Sequence, residues 1–509
     1  MSMRKLIAIL CVFVLTVGIF GGCASDDEQP SSSNSEKKSD TKSESKGEEK
    51  PYELSFLFLG DDAAKSVNAD NDRVVKEMSE RLGVTFQFRS VPEGGYEKIN
   101  IAIASGDLPD VVNSSYPNAA VSQWIRDGVI LPINDYFDIM PTVKEQCERE
   151  SWTAVDGQYY GYPFIAQKGI TNSNIVVRGD WMEELGIEEP QTLDEFHDML
   201  LKFRADKDTY GISGAKPIGN FAWVFHAYGL EYADWSLDVD SNVIPKFEDP
   251  SFKLGMEYLK TLWDEDLIDK EFMLNDNKMK EEKWYQGKVA VVDLPLYRHV
   301  SRHEGNLQKV DPNGKLTYIA PPAGPEGNRG FAGEGKSGML TAITAACEQP
   351  EKAAAFIELL VSPEGRDLLT LGIEGVHYTK DGDTINYNLE EREKDNFASN
   401  GWSHFLAWGT VTWPLASNYL PQIEPNRERA LDSVDFASQY QMGNLVPLKT
   451  ESEIEFKGLL DEIYNEKFIM MLTGEVTIDE GITSLSEEWR DQGGDQVLAE
   501  VQKIYDSLK

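Results

Sequence analysis

Across 509 residues the chain holds only 6 histidines and 4 cysteines. It contains no H-E-x-x-H, no G-x-S-x-G and no C-x-x-C. The local signatures of zinc peptidases, of serine hydrolases and of thiol redox sites are therefore missing. Positive charge is scarce too: 49 Lys and Arg stand against 87 Asp and Glu, a net charge of −38. A surface this acidic argues against nucleic acid as partner and against general attraction to anionic lipid, while leaving room for local basic pockets. With so many acids, a carboxylate pair suited to a glycosidase carries no information. There is no internal repeat, no coiled-coil heptad and no second apolar run that could span a membrane.

The apolar run that does exist is at the start. "MSMRK" supplies Arg4 and Lys5, "LIAILCVFVLTVGIF" follows, and "GGC" ends it. This is a secretory signal (1–22), shorter than the ~20 apolar residues a spanning helix needs. Cys23 after Gly21-Gly22 resembles a bacterial lipobox, in which that cysteine is lipidated and becomes the mature N-terminus. Losing Arg4 and Lys5 leaves 47 basic against 87 acidic residues, or −40. Residues 23–51 carry no aromatic and almost no apolar side chain, so they cannot bury enough surface to fold. They read as a tether of roughly 30 Å, and order is expected from Tyr52. Once Cys11 leaves with the signal and Cys23 takes the lipid, Cys147 and Cys347 remain. Sequence leaves their pairing open, and buried free thiols are the simpler reading.

About 450 residues are too many for one hydrophobic core, so two lobes are expected. "YELSFLFLG" reads as a buried strand. In "NDRVVKEMSERLG", Val74, Val75, Met78 and Leu82 recur at helical spacing before Gly83. A strand at 84–88, a helix through Tyr96, Ile99 and Ile103, and a strand from Pro109 follow. This alternation predicts an α/β fold with ligands at the carboxyl ends of the strands. Those ends are Gly60-Asp61-Asp62 and Asn113–Tyr116. A second block has a strand in "NSNIVVRGD", an Asp180 cap, and a Thr192/Glu195 capping box before Phe196, Met199, Leu200 and Phe203. The segment from Pro350 to Pro363 reads as helix.

The order and spacing of "IASGDLPDVV", "VILPINDYF", "DGQYYGYPF", "VVRGDWMEELGIEEPQTLDEFHDML", "YIAPPAGPEGNRG" and "LLTLGIEGVHYTKDG" resemble the extracellular sugar-binding proteins of ABC importers. The resemblance is to their large lipoprotein branch, which includes alginate-oligosaccharide-binding proteins, and covers everything after the tether. It implies a periplasmic-binding-protein-like fold of two α/β lobes with a ligand cleft between them and a hinge that closes on ligand. Carried over by segment, lobe one is 52–168 plus 338–378 and lobe two is 170–336 plus 380–509. The crossings fall near Phe164–Asn174, near Gly335–Thr344 and soon after Tyr378. Members of the branch often carry a calcium loop after the capping-box helix. Here "RADKDTYGISG" keeps Asp206 and Asp208 but lacks the third oxygen ligand and the closing glutamate, so no metal and no cofactor is expected.

One motif points elsewhere. Gly330, Gly335, Lys336 and Ser337 satisfy the phosphate-binding pattern G-x-x-x-x-G-K-[ST]. No strand precedes it, "GMLTAITA" favours a strand rather than a helix after it, and an exported chain meets little ATP. His299 and His303 are four apart, but no third metal ligand is visible; they read as solvent-facing residues of a charged helix.

Aromatics are the positive signal, because sugar rings stack their flat C–H faces on aromatic faces while hydroxyls seek polar edges. Trp223, Trp402 and Trp408 lie beside glycines or small polar residues and are candidate platforms; Trp181 and Trp263 lie on amphipathic helices and are assigned to the core. Polar candidates come from position: Asp61, Ser114 and Tyr116 after lobe-one strands, Asn172, Asn174 and Arg178 at and beyond the first crossing, Asp293 ending a lobe-two strand, Glu334 and Lys336 at the second crossing, and His377 near the third. The reading that results is a monomeric, lipid-anchored binding protein on the extracytoplasmic face, of a Gram-positive type of surface. It captures a mono- or oligosaccharide for ABC permease subunits and performs no chemistry. A non-sugar solute such as a peptide, or a surface polysaccharide-degrading enzyme, are the alternatives.

Overall fold

The computed structural model describes residues 51–59, 72–91, 101–103, 105–165, 174–216, 221–296, 299–333, 338–382, 384–395, 427–446 and 449–508. All lie in one compact unit, Pro51–Lys509. In chain order the strands are β1 (Tyr52–Leu59), β2 (Val84–Val91), β3 (Val111–Tyr116), β4 (Tyr162–Ile165), β5 (Ile175–Arg178), β6 (Tyr210–Ser213), β7 (Trp235–Leu237), β8 (Val243–Pro245), β9 (Val289–Asp293), β10 (Leu316–Ile319), β11 (Gly338–Ile343), β12 (Tyr378–Asp381) and β13 (Thr384–Tyr387). The helices that matter below are α1 (Arg73–Leu82), α2 (Ala119–Arg126), α3 (Leu193–Lys207), α4 (Pro250–Asp264), α5 (Pro350–Val361), α6 (Leu389–Lys394), α7 (Glu451–Thr473), α8 (Ile478–Trp489) and α9 (Asp495–Leu508).

Two mixed sheets organise the fold. The first has the order β2-β1-β3-β11-β4, the second β10-β5-β9-β6. β1 runs parallel to β2 and β3, as strand–helix–strand connections require. β11 arrives from far along the chain and pairs antiparallel with both β3 and β4. It reaches β4 because its first residue lacks a side chain: a Cβ on Gly338 would lie 1.8 Å from the Phe164 carbonyl oxygen. A strand therefore follows the Gly-Lys-Ser sequence, where a phosphate-binding loop needs a helix.

Local signals account for the helices. α1 is capped by Asp72, which accepts from Val74 and Val75 N–H at 2.9 and 3.2 Å. It ends at Gly83, whose φ of 63° lies in the left-handed region. α3 carries the expected Thr192/Glu195 capping box and buries Phe196, Met199, Leu200 and Phe203. It runs into β6 across only Asp208 and Thr209. Asp180 is not a cap: the helix Gly179–Leu185 starts from Arg178 without a side-chain cap, and Asp180 instead receives the Arg178 guanidinium.

Strand alternation gives each sheet two covered faces. In the first, Leu54, Phe56 and Val111 pack with Val74, Val75, Phe356 and Ile357, while Leu57, Val112 and Tyr116 pack with Val121, Trp124 and Leu340. In the second, Ile175, Val177 and Val291 share a core with α3, α4 and the C-terminal helices, including Phe468, Met471, Leu485 and Val501. Val176, Val292, Trp284 and Leu307 fill the other side.

The segment after Tyr378 packs beside α1. Arg73 of α1 bonds Asp395 at 2.7 Å and Glu391 of α6 at 2.6 Å. Buried Arg392 donates to the Leu371 carbonyl at 2.6 Å. These contacts tie the segment through Asp395 to α1 and to the Leu371 carbonyl. These charge pairs span long sequence separations, and "EEREKD" read alone looks like plain solvated surface.

Candidate functional site

After β3 the chain turns at Pro117, and Asn118 caps α2 by accepting from Val121 N–H at 2.9 Å. Facing Ser115, Pro117 and Asn118 are the β7–β8 hairpin, the turn Lys246–Glu248, and parts of α7, α8 and α9. Between them lies a cavity of about 550 Å³, inside the roughly 300–1,000 Å³ range of small-molecule sites. It joins the end of a first-sheet strand to the core helices of the second sheet. Beside it, Arg126 of α2 pairs with Glu451 of α7 at 2.6 Å; both are exposed, so the pair adds little energy.

One wall is aromatic. Trp235, Phe247, Tyr464 and Trp489 line it, and they hold one another edge-on: Phe247 meets Trp489 at 5.6 Å and 74°, and Trp235 meets Trp489 at 6.3 Å and 69°. Trp235 and Trp489 are only 5% and 7% exposed. The second-sheet core therefore fixes their orientation before any ligand arrives, which lowers the entropy cost of binding.

The rest of the lining is charged. Lys449 donates to Asp234 at 3.1 Å and to Glu453 at 3.3 Å. Glu453 also belongs to the capping box with Thr450 that starts α7. Lys457 pairs with Asp461 at 2.5 Å. Asp234 and Lys449 keep 37% and 35% of their side-chain surface accessible, so these groups remain able to meet a solute. Burial opposes ionisation of Asp234, but Lys449, Lys246 and Lys457 outweigh it and hold the carboxyl below its ordinary range. Lys449 is likewise opposed by burial, yet Asp234 and Glu453 push it upward. Lys246 goes the other way: burial pushes its ammonium down, Lys449 and Lys457 add to the effect, and Asp234 and Asp461 offset it only in part. Fixed carboxylates and ammoniums beside flat rings can bind a polyhydroxylated ring through its edges and faces together. Among the described residues no cluster of three or more His, Cys, Asp or Glu is arranged to hold a metal.

Of the residues expected from sequence, none of those described is in this lining. Ser114 is 1% exposed and Tyr116 is 8% exposed, stacked on Trp152 at 5.8 Å; their neighbour Ser115 lines the cavity instead. Asn174 is fully buried and donates to the Leu294 carbonyl at 3.3 Å. Arg178 is consumed by Asp180 at 2.5 Å and Asp311 at 2.6 Å, with its guanidinium 4.3 Å from the Trp181 ring. Trp223 is core, packed edge-on against Phe196 at 5.0 Å. Asp293 is paired with Lys280 at 2.5 Å, and His377 with Asp395 at 2.7 Å. His299 and His303 are buried rather than solvent-facing, bonded to the Leu296 carbonyl and the Tyr285 hydroxyl at 2.6 and 2.8 Å. Trp181 and Trp263 are partly buried against the second core. Cys147 and Cys347 are free and buried. Cys23, Asp61, Asn172, Glu334, Lys336, Trp402 and Trp408 lie outside the described residues. What sequence reasoning missed is the set Trp235, Lys246, Lys449, Tyr464 and Trp489. Only the two tryptophans carried a signal of their own, as large aromatics with polar residues on both sides in sequence.

A family model described as bacterial extracellular solute-binding protein matches residues 68–367. The polygalacturonan/rhamnogalacturonan-binding protein YtcQ of Bacillus subtilis (strain 168) is 24% identical over 98% of this chain and 99% of its own length. Lipoprotein LipO of the same organism is 22% identical over 97% of each chain. A solved structure of the S. pneumoniae ABC-transporter substrate binding protein FusA, an EF-hand mutant in complex with fructo-nystose, aligns with a TM-score of 0.69 at 20% identity, covering 90% of this chain and 99% of that one. At that identity the likeness carries the fold.

Proposed function

Because this chain belongs to the bacterial extracellular solute-binding protein family, we propose that it captures an oligosaccharide in the cavity beside β3 and delivers it to the permease of an ABC importer. Membership makes it a binding protein rather than an enzyme. The observation that carries the reading is the pairing of a pre-set aromatic wall with fixed charged groups in one cavity of about 550 Å³. The names of YtcQ and FusA, both concerned with sugar polymers or oligomers, support the same class.

In this reading the first-sheet body, 52–165 with 338–395, and the second-sheet body form two lobes. Ligand draws them together about the crossings, and the closed form is what the permease recognises. Cys23 carries the lipid that keeps the protein at the membrane, with residues 24–51 as tether. LipO, whose name marks it as a lipoprotein, supports that anchor.

A thermal-shift screen of the mature chain against a glycan panel tests the proposal. A ligand present at a hundred times its Kd adds about 2.7 kcal/mol of apparent stability, enough to raise the melting temperature measurably. Small-angle scattering of the same sample should show compaction. A panel that shifts nothing, while a peptide mixture does, replaces the oligosaccharide reading with a peptide one.

A further inference from the structure

Three lysines border the cavity, and they are not equivalent. Lys449 takes two of the three carboxylates there, Asp234 and Glu453, and Lys457 takes the third, Asp461. Lys246 has none: no carboxylate of the described residues lies within 4.0 Å of its Nζ, and its side chain makes no hydrogen bond to them. Its ammonium sits 5.5 Å from the centre of the Tyr464 ring. Its stem runs past a void of about 10 Å³ bordered by Phe221, Phe225 and Phe468, room for one water at most. The charge thus stands on an apolar base at the edge of the binding cavity, with its solvation supplied from the open side.

We propose that Lys246 is the anchor for a carboxylate on the ligand, so that the captured oligosaccharide contains a uronic acid residue seated against Tyr464. The inference rests on the oligosaccharide reading above and sharpens it. When a ligand fills the cavity it displaces the water that solvates Lys246. A sugar hydroxyl returns only a dipole, and the ammonium is left undercompensated in a poorly solvated place. A carboxylate returns an opposite charge and a charge-assisted hydrogen bond. Burial and the neighbouring Lys449 and Lys457 press the ammonium down, and Asp234 and Asp461 offset this only in part, so an incoming carboxylate supplies at contact distance the opposite charge that Lys246 lacks. The mature net charge of −40 acts at long range, where salt screens it beyond about 8–10 Å. It slows approach without cancelling the local contact.

The test is calorimetric titration of the mature chain with galacturonate and mannuronate trimers, the same trimers carboxyl-reduced to neutral sugars, and tri-glutamate. The expected result is binding of at least one acidic trimer about ten- to hundredfold tighter than its reduced form. Lys246→Met should remove that difference, Lys246→Arg should keep it, and the unliganded melting curve should verify that both variants fold. In the unaltered protein, raising salt from about 0.05 to about 0.5 M should weaken the acidic trimer and spare the reduced one. Equal or tighter binding of the reduced trimers overturns the proposal, as does an undiminished preference in Lys246→Met. Tri-glutamate binding as tightly as the trimers also overturns it. Neutral glycans binding alone overturn the uronate inference and leave the oligosaccharide reading standing. If no glycan binds, both fall.

Discussion

Replacing Asp293 with alanine separates a structural carboxylate from a ligand-binding one. Its position at the end of β9 is where an α/β protein presents ligand groups, yet its side chain is 7% exposed and lies 2.5 Å from Lys280 Nζ, itself 4% exposed. Removing the carboxylate leaves the ammonium buried beside a small void. Breaking a buried pair from one side costs about 3–5 kcal/mol, a fifth or more of the roughly 5–15 kcal/mol that keeps a domain folded. At roughly 1 °C per kcal/mol for about 450 ordered residues, the melting temperature should fall by about 3–5 °C. Substituting both partners, Lys280→Met with Asp293→Leu, removes the unpaired charge along with the pair and should recover most of that loss. Urea unfolding followed by tryptophan fluorescence measures the stability. Titration with a bound glycan, well below the melting temperature, measures the site, and its Kd should stay within about twofold of the unaltered protein's, since mutations far from a site with no shared partners act independently. Unchanged stability with a tenfold or greater loss of affinity would refute the assignment and return Asp293 to the ligand.

Acid should destabilise the protein through His226. Burial is the main cause that pushes this imidazole from 6.5 down to about 4, and its Nε2 has no hydrogen-bond partner among the described residues. The unfolded chain then binds the proton first as pH falls, so stability is complete above pH 6.5 and drains away between 6.5 and about 4, by roughly 3 kcal/mol. His226→Gln should flatten that part of a melting-temperature profile, and an unaltered profile would contradict the reasoning. The two free thiols, whose pKa values burial raises to about 12 at both Cys147 and Cys347, should be silent to a thiol reagent at pH 8 in the folded protein. Both should react at once in urea; rapid labelling of the native chain would show that they are accessible.

The α/β class, the capping box at Thr192 and Glu195 and the strand after Ser337 were legible because each rests on local periodicity or turn chemistry. The site was not. Ser114 and Tyr116 are buried while Ser115 between them lines the cavity, a one-residue difference that turns on which face of the strand points inward, and the sequence does not mark that face. Trp223 has the glycine-flanked look of a platform, but its neighbours Phe221 and Phe225 put it inside a helix buried all round. Arg178, Asp293 and His377 look like ligand groups only until their partners Asp311, Lys280 and Asp395 arrive from elsewhere in the chain. Conversely, Lys246 and Tyr464 face one cavity because the turn after the β7–β8 hairpin and a C-terminal helix meet there, a juxtaposition that no local pattern encodes.

The insertion of β11 between β3 and β4 also bears on how the molecule comes into being. Among the described residues β4 pairs within the first sheet only with β11, and residues 166–337 separate them. A chain emerging amino-end first outside the membrane exposes β3 and β4 long before their partner is delivered, while the whole second-sheet framework is being supplied in between. Unpaired strand edges of this kind are templates for association with other chains, and the distant pairing makes closure slow. The late strand is therefore the step on which escape from aggregation depends.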